Sequence, residues 1–427
     1  MRPSLALGGD GFSALVGTIC MNIRRGSCAS AAVVDMSDLR KISHFLCKIC
    51  GDEALEEFDG FGQLCRVTSD CKPFSAGGRL TICSSCGGLQ KPTDEKWLAE
   101  IDEIYSAYAA YYQSSGVEQA VFDPVSGAAN TRSATILSKL SEVLALPKTG
   151  SLLDVGCGNG VLLTAFSNLF TEWELNGHDL SDIALAKLST ILGFKKLFNE
   201  PLSEIATQFD MVSMIHSLEH FPDPIQGLID IKPLIASKGC LLVQVPNAAM
   251  SPFDFLVADH ASHFVPSDFV QILSRAGYQA KIVSDEWVTK EISVVAIPDQ
   301  GQSTAPVDAS HIEAKKKYVG AQIKWLLDVV EESTAASTEG RKFGIFGTSV
   351  AAMWLFGQLG DAVSFFVDED ESRQGTNLHG KPVYHPNEVE AGAIVYAGLI
   401  PHVAEAVAKR MTQYQFDLRV PPSLAGN

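Results

Sequence analysis

Leu152-Leu153-Asp154-Val155-Gly156-Cys157-Gly158-Asn159-Gly160 is the stretch that decides how this chain is read. Leu152, Leu153 and Val155 form a short apolar run, the mark of a buried strand. Gly156, Gly158 and Gly160 then make a turn, and Val161-Leu162-Leu163 opens a helical pattern. Glycine lets the backbone come close to a ligand, and the helix N-terminus behind the turn favours polar or anionic groups. Asp154 puts a negative charge where a cationic amine would sit. Downstream, Trp173-Glu174-Leu175-Asn176-Gly177-His178-Asp179 reads as a second strand ending in an acid, and such an acid accepts hydrogen bonds from ribose hydroxyls.

Apolar strands alternate with amphipathic helices around this stretch. Strands are expected at 151–155, 173–178, 209–214, 240–245, 280–284 and 292–297, the pattern of a doubly wound α/β sheet. The strand at Phe209–Met214 runs into Ile215-His216-Ser217-Leu218-Glu219-His220-Phe221-Pro222-Asp223, a loop at the ligand-binding edge. Lys238-Gly239 is expected to be a turn before the fifth strand.

Upstream, Cys47-Lys48-Ile49-Cys50 and Cys83-Ser84-Ser85-Cys86 make two C-x-x-C knuckles. Four thiolates suit tetrahedral Zn²⁺, and a closed Cys₄ site is structural rather than catalytic. Cys65 and Cys71 between them are spare ligands, and a redox dithiol in each knuckle is the competing reading. Downstream, Pro298 to Pro306 is a polar, breaker-rich linker. A helix near 311–333 follows, then Phe343-Gly344-Ile345-Phe346-Gly347-Thr348-Ser349 and a strand, Val363–Val367, ending at Asp368. This resembles half of a Rossmann unit, suited to a nucleotide or a phosphate of the substrate.

The chain has 427 residues, so two or three domains are expected at ~150 residues each. Its net charge of −17 argues against a nucleic-acid partner, since the longest basic run is only Lys315-Lys316-Lys317. No stretch approaches ~18 unbroken apolar residues, so no membrane span is expected. Ten cysteines, several in C-x-x-C pairs, fit a reducing compartment, and the default location is the cytoplasm. Residues 1–43 read as a mobile tail without a secretory signal, with Met21 or Met36 as alternative starts.

Residues 152–160 with Asp179 resemble motif I of the class I S-adenosylmethionine-dependent methyltransferases. The order of the segments narrows this further. A Cys₄ zinc-binding module at 44–95, a methyltransferase core at 96–300 and a small Rossmann-like tail at 301–427 resemble the sugar C-methyltransferases of deoxysugar biosynthesis. The tail's Val367-Asp368-Glu369, Arg373-Gln374-Gly375 and Gly380-Lys381-Pro382-Val383 carry part of that likeness. The resemblance implies S-adenosylmethionine against Asp154, Gly156, Cys157, Gly158, Gly160, Asp179, Leu180 and His216, with structural Zn²⁺ on Cys47, Cys50, Cys83 and Cys86. It also implies a nucleotide-linked 4-keto-6-deoxysugar as acceptor and a C-terminal domain that binds it.

In that family a Glu-His pair ahead of a helix removes the proton beside the ketone. The matching stretch is Asp259-His260-Ala261-Ser262-His263-Phe264, with Asp in place of Glu. Tyr112 matches a family tyrosine, while Ala110 stands at the position of another. The expected chemistry is proton removal by His260, its ring oriented by Asp259, with Tyr112, Tyr111 or His263 donating to the enolate oxygen. O- or N-methylation of another small metabolite is the alternative, and a non-catalytic zinc-ribbon protein that binds cofactor is a third reading.

Overall fold

The computed structural model describes residues 45–106, 120–122, 129–299 and 307–424. The expected tail at 1–43 and the tyrosines at 111 and 112 lie outside them.

The Cys module contributes β1 (Leu55–Glu57), β2 (Thr81–Cys83) and β3 (Leu89–Gln90), followed by helix α1 (Glu95–Ser106). Its sheet does not close within 44–95. A fourth strand, Ser262–His263, pairs antiparallel with β3 from the middle of the core.

The core strands are β4 (Gly150–Val155), β5 (Trp173–His178), β6 (Phe194–Phe198), β7 (Phe209–Ile215), β8 (Ile235–Pro246), β9 (Tyr278–Ser284) and β10 (Glu291–Pro298). They lie in the order β6-β5-β4-β7-β8-β10-β9, with only β10 running against its neighbours. Leu152, Leu153 and Val155 are buried because a central parallel strand is covered on both faces. β6 is a strand the sequence pattern did not indicate. The expected turn at Lys238-Gly239 is an irregularity inside β8, where the register against β7 shifts. A Cβ at Gly239 would lie 2.8 Å from the Asp210 carbonyl oxygen, so glycine permits the close approach.

Helix α2 (Arg132–Val143) precedes β4, and α3 (Val161–Leu169) follows the glycine turn. Helix α4 (Pro224–Ile231) starts where Asp223 accepts from the Gln226 N–H, with proline in the first turn. Helix α5 (Asp268–Ala276) stops at Gly277, which has φ +78°.

Helix α6 (Ala309–Ser337) leads into the C-terminal sheet. That sheet sets Asn377–Leu378, Lys381–Tyr384, Phe365–Val367, Phe343–Phe346, Ile394–Tyr396 and Asp417–Arg419 side by side, parallel except for the first. One apolar core joins this sheet and α6 to Phe61, Leu64, Val67 and Leu80 of the Cys module. A second packs Cys47, Ile49, Cys83 and Cys86 against β7 and β8 residues. The module is thus wedged between core and tail. Among the described residues no helix is long and apolar enough to cross a membrane.

Candidate active site

Strand order reverses at β4 and β7, and ligands of open α/β sheets bind in the crevice at the carboxyl ends of such strands. Gly156 leaves β4 with φ +76°, and a Cβ there would lie 2.7 Å from Ser217 Cβ. Gly160 caps α3 with φ +78°, and a Cβ would meet Leu188 at 2.5 Å. Of the expected cofactor residues, Asp154, Gly156, Cys157, Gly158, Asp179, Leu180 and His216 line one cavity. Gly160 is not among its lining residues, because it packs against Leu188 and Ile191.

Asp179 stands at the end of β5, where Oδ2 accepts from the Gly158 N–H at 2.9 Å and Oδ1 from the Ser181 N–H at 3.2 Å. Asp154 is buried and accepts from the Ser213 hydroxyl at 2.7 Å. Burial pushes its carboxyl up to about 7, despite that hydrogen bond. A cationic amine would restore the missing counter-charge.

His216 holds a left-handed backbone, φ +52°, directly after β7. Its Nδ1 lies 3.3 Å from Glu219 and its Nε2 3.0 Å from Glu291. Burial opposes the imidazolium, but Glu291 and Glu219 outweigh it and raise the ring to about 9. His216 thus stands between two carboxylates that favour its protonated form.

The opposite wall carries the histidines. His260 Nδ1 is 2.8 Å from Asp254 Oδ1, and His263 Nδ1 is 2.7 Å from Asp254 Oδ2. An ionised carboxylate only accepts, so each ring donates from Nδ1, leaving Nε2 of a neutral His260 with the lone pair. Burial would raise Asp254, yet His263 and His260 together hold it below the usual carboxylate range.

Asp259, expected to orient His260, turns the other way. It accepts from the Ser69 N–H at 2.9 Å and the Ser69 hydroxyl at 2.5 Å, and lies 3.4 Å from His220 Nδ1. Asp254 takes the orienting position because both histidine rings converge on it. His263, expected as an enolate donor, is 1% exposed and absent from the cavity wall. Burial lowers it to about 4. His220 does line the cavity, its ring edge-on to His260 with centroids 4.8 Å apart. Burial opposes its charge, but Asp259 and Glu219 leave it raised. Tyr112 falls outside the described residues; Tyr105, on α1, reaches His220 Nδ1 at 3.2 Å.

The sequence reading missed Asp254, Glu291 and Ser69. An Asp six residues before one histidine and nine before another was the only local signal for Asp254. Glu291 and Ser69 come from distant segments.

The cavity measures ≈ 1360 Å³ and reaches Arg373, Ser349 and Leu399 of the tail. One small ligand needs about 300–1,000 Å³, so an acceptor fits beside a cofactor. Asp368, expected at a strand end, is not on its wall; it accepts from the Thr348 hydroxyl at 2.7 Å and pairs with Arg373 at 3.6 Å.

The four knuckle cysteines also converge. Cys47 and Cys86 sulfurs are 3.5 Å apart, as are Cys50 and Cys83, and one sulfur from each lies within 4.8 Å of the others. All four are free of disulfides. Backbone N–H groups of Cys50 and Ser85 point at the sulfurs of Cys47 and Cys83. Hydrogen bonds inside the cluster lower Cys83 below the ordinary thiol range and raise Cys47 and Cys86 above it. Four soft donors at this spacing fit a tetrahedral metal ion.

Residues 128–281 match the family model of a methyltransferase domain. Ubiquinone biosynthesis O-methyltransferase of Nitrosomonas europaea is 28% identical over 137 residues, covering 30% of this chain and 57% of that protein. The protein of the same description from Paraburkholderia phymatum is 27% identical over 125 residues, covering 27% and 53%. The chain thus spans about half the length of the curated relatives it matches. Similar solved structures include the plantazolicin methyltransferase BpumL in complex with SAH, with a TM-score of 0.33, 15% identity, and 39% and 82% coverage. Another is the mitomycin 7-O-methyltransferase MmcR, with a TM-score of 0.35, 18% identity, and 39% and 54% coverage.

Proposed function

We propose that this chain, whose residues 128–281 match a methyltransferase domain, is a class I S-adenosylmethionine-dependent enzyme that methylates a small-molecule acceptor by way of a His260–Asp254 proton-accepting pair. The acceptor in this reading is a nucleotide-linked 4-keto-6-deoxysugar, methylated on the carbon beside its ketone. S-adenosylmethionine supplies an electrophilic methyl group on a sulfonium, open to in-line displacement. Asp179 would hold the ribose hydroxyls of that cofactor and Asp154 its ammonium. His260 Nε2 takes the proton from the carbon acid while Asp254 keeps the ring in the right tautomer and stabilises the imidazolium. The carbon so freed would be the nucleophile for the methyl group that the sulfonium supplies. The cavity holds acceptor and cofactor side by side, which would align the reacting atoms.

The observation that carries the reading is His260 on the cavity wall with Asp254 behind it. The cavity's reach to Arg373 and Ser349 supports a tail that receives the nucleotide end of the acceptor. The Cys₄ cluster is assigned Zn²⁺ in a structural role. O-methylation is the second reading, favoured by the description of both curated relatives as O-methyltransferases; His260 would then take a hydroxyl proton.

Mass spectrometry of nucleotide-linked 4-keto-6-deoxysugars incubated with protein and S-adenosylmethionine tests this. A gain of one methylene, lost in His260→Ala, is expected. No gain with cofactor binding intact would reject the sugar, and full turnover in His260→Ala would reject the base.

A further inference from the structure

His260 sits in a loop whose backbone is held chiefly by the Cys module. Lys91 is 1% exposed; its backbone N–H donates to the Ala261 carbonyl at 3.0 Å and its ammonium to the Val257 carbonyl. Lys48, inside the first knuckle, donates its ammonium to the same Ala261 oxygen at 2.9 Å. Trp97 Nε1 donates to the Ala258 carbonyl at 3.1 Å, and the Ala258 N–H donates to Val67 at 2.7 Å. Ser69 binds Asp259, and Ser262–His263 extends the module's sheet beside β3. From the core, the Ala261 N–H reaches the Glu219 carbonyl at 2.7 Å.

The sulfur cluster is tied into the same network. A Cβ on Gly88, the residue before β3, would lie 3.4 Å from the sulfurs of Cys47 and Cys86. The Lys48 N–H donates to the Gln90 side chain at 2.7 Å, fastening the first knuckle to β3 one residue before Lys91. A buried ammonium on a buried carbonyl is a costly contact to break, because both groups then lose their partner without gaining water.

We propose that Lys91 is a positioning residue for His260, through which the Cys47–Cys50–Cys83–Cys86 metal site sets where the imidazole stands in the cavity. This rests on the reading of His260 as proton acceptor. Lys91 touches no reacting atom; it fixes the two carbonyls on either side of the histidine. Metal release then loosens the loop at 257–263 while leaving the cofactor cleft formed, since β4 and β5 pair only with strands of the core sheet.

The test compares Zn²⁺-loaded protein, the same protein after chelation, and Lys91→Met. Amide hydrogen exchange over 257–263, the NMR signals of the His260 imidazole and calorimetric affinity for S-adenosylhomocysteine are measured in each. Exchange at 257–263 should speed by at least about tenfold after chelation and in Lys91→Met, with affinity held within about twofold. The His260 ring signals should move in both. If Lys91→Met fails to fold, Lys91→Gln takes its place, and unchanged exchange at 257–263 in a folded Lys91 variant would overturn the proposal. Unchanged exchange at 257–263 after chelation would overturn the proposal. So would a parallel loss of cofactor affinity, which marks general unfolding. No readout here involves methyl transfer; the proton-transfer reading fails separately, on full turnover in His260→Ala.

Discussion

Replacing Asp154 with Asn isolates the charge at the base of the cofactor cleft. Asp154 is 3% exposed, and burial moves its carboxyl from 3.8 to about 7 against the pull of the Ser213 hydroxyl. The folded chain therefore keeps this proton at pH values where the unfolded chain has released it. The stability it contributes is complete below about 3.8 and is lost as pH rises through about 7. Asn has similar shape and can accept the Ser213 bond, yet cannot ionise. The stability gap between the Asp154→Asn variant and wild type should thus widen in the variant's favour by about 1.4 kcal/mol per pH unit between 5 and 7, about 3 kcal/mol in all.

Urea unfolding of ligand-free protein at pH 5 and pH 8 measures that gap, and other titrating groups cancel in the comparison. A gap equal at both pH values would refute the account of a desolvated carboxyl. The same variant should lose affinity for S-adenosylhomocysteine, whose ammonium the proposed reading sets against Asp154. One charge-assisted hydrogen bond is worth about 1.5–3 kcal/mol, roughly tenfold to a hundredfold in a calorimetric titration.

Gly156→Ala forces a Cβ into Ser217 at φ +76°, and thermal unfolding should show a loss of about 1–3 kcal/mol together with weakened cofactor binding. Glu291→Gln removes the carboxylate on His216 Nε2, so NMR titration should find the ring well below about 9. Because that pairing raises the folded ring above its ordinary 6.5, its stability is present below 6.5 and lost through about 9; the variant should be weakened near about pH 6 and little changed above about pH 10. The proposed Zn²⁺ site predicts one ion per wild-type chain by elemental analysis, most of it lost in Cys86→Ser.

The glycine turn and its flanking strand were legible because Leu152–Gly160 combines a local apolar run with residues that only a tight turn needs. Asp179 was legible for the same reason, as the acid closing a short, buried strand. The strand at Phe194–Phe198 was not: Lys195 and Lys196 stand together at a sheet edge and break the alternation that marks a strand. Lys238-Gly239 has turn composition, yet pairing with β7 keeps the chain extended. At the site, adjacency in sequence suggested Asp259 for His260. The loop instead carries Asp259 toward Ser69 and brings Asp254, six residues back, under the ring. Such pairings depend on a path through three-dimensional space that neither residue type nor spacing encodes. The sheet that the Cys module shares with Ser262–His263 was hidden likewise, because two-residue strands leave no periodic trace.

Calorimetric titration of wild type and Asp179→Ala with S-adenosylhomocysteine asks whether a cofactor sits where the glycine turn meets Asp179. One saturable site per chain is expected in wild type, weakened by at least about tenfold in the variant while its circular dichroism is unchanged. Equal binding by both proteins, or none by wild type, would contradict a cofactor seated between the glycine turn and Asp179.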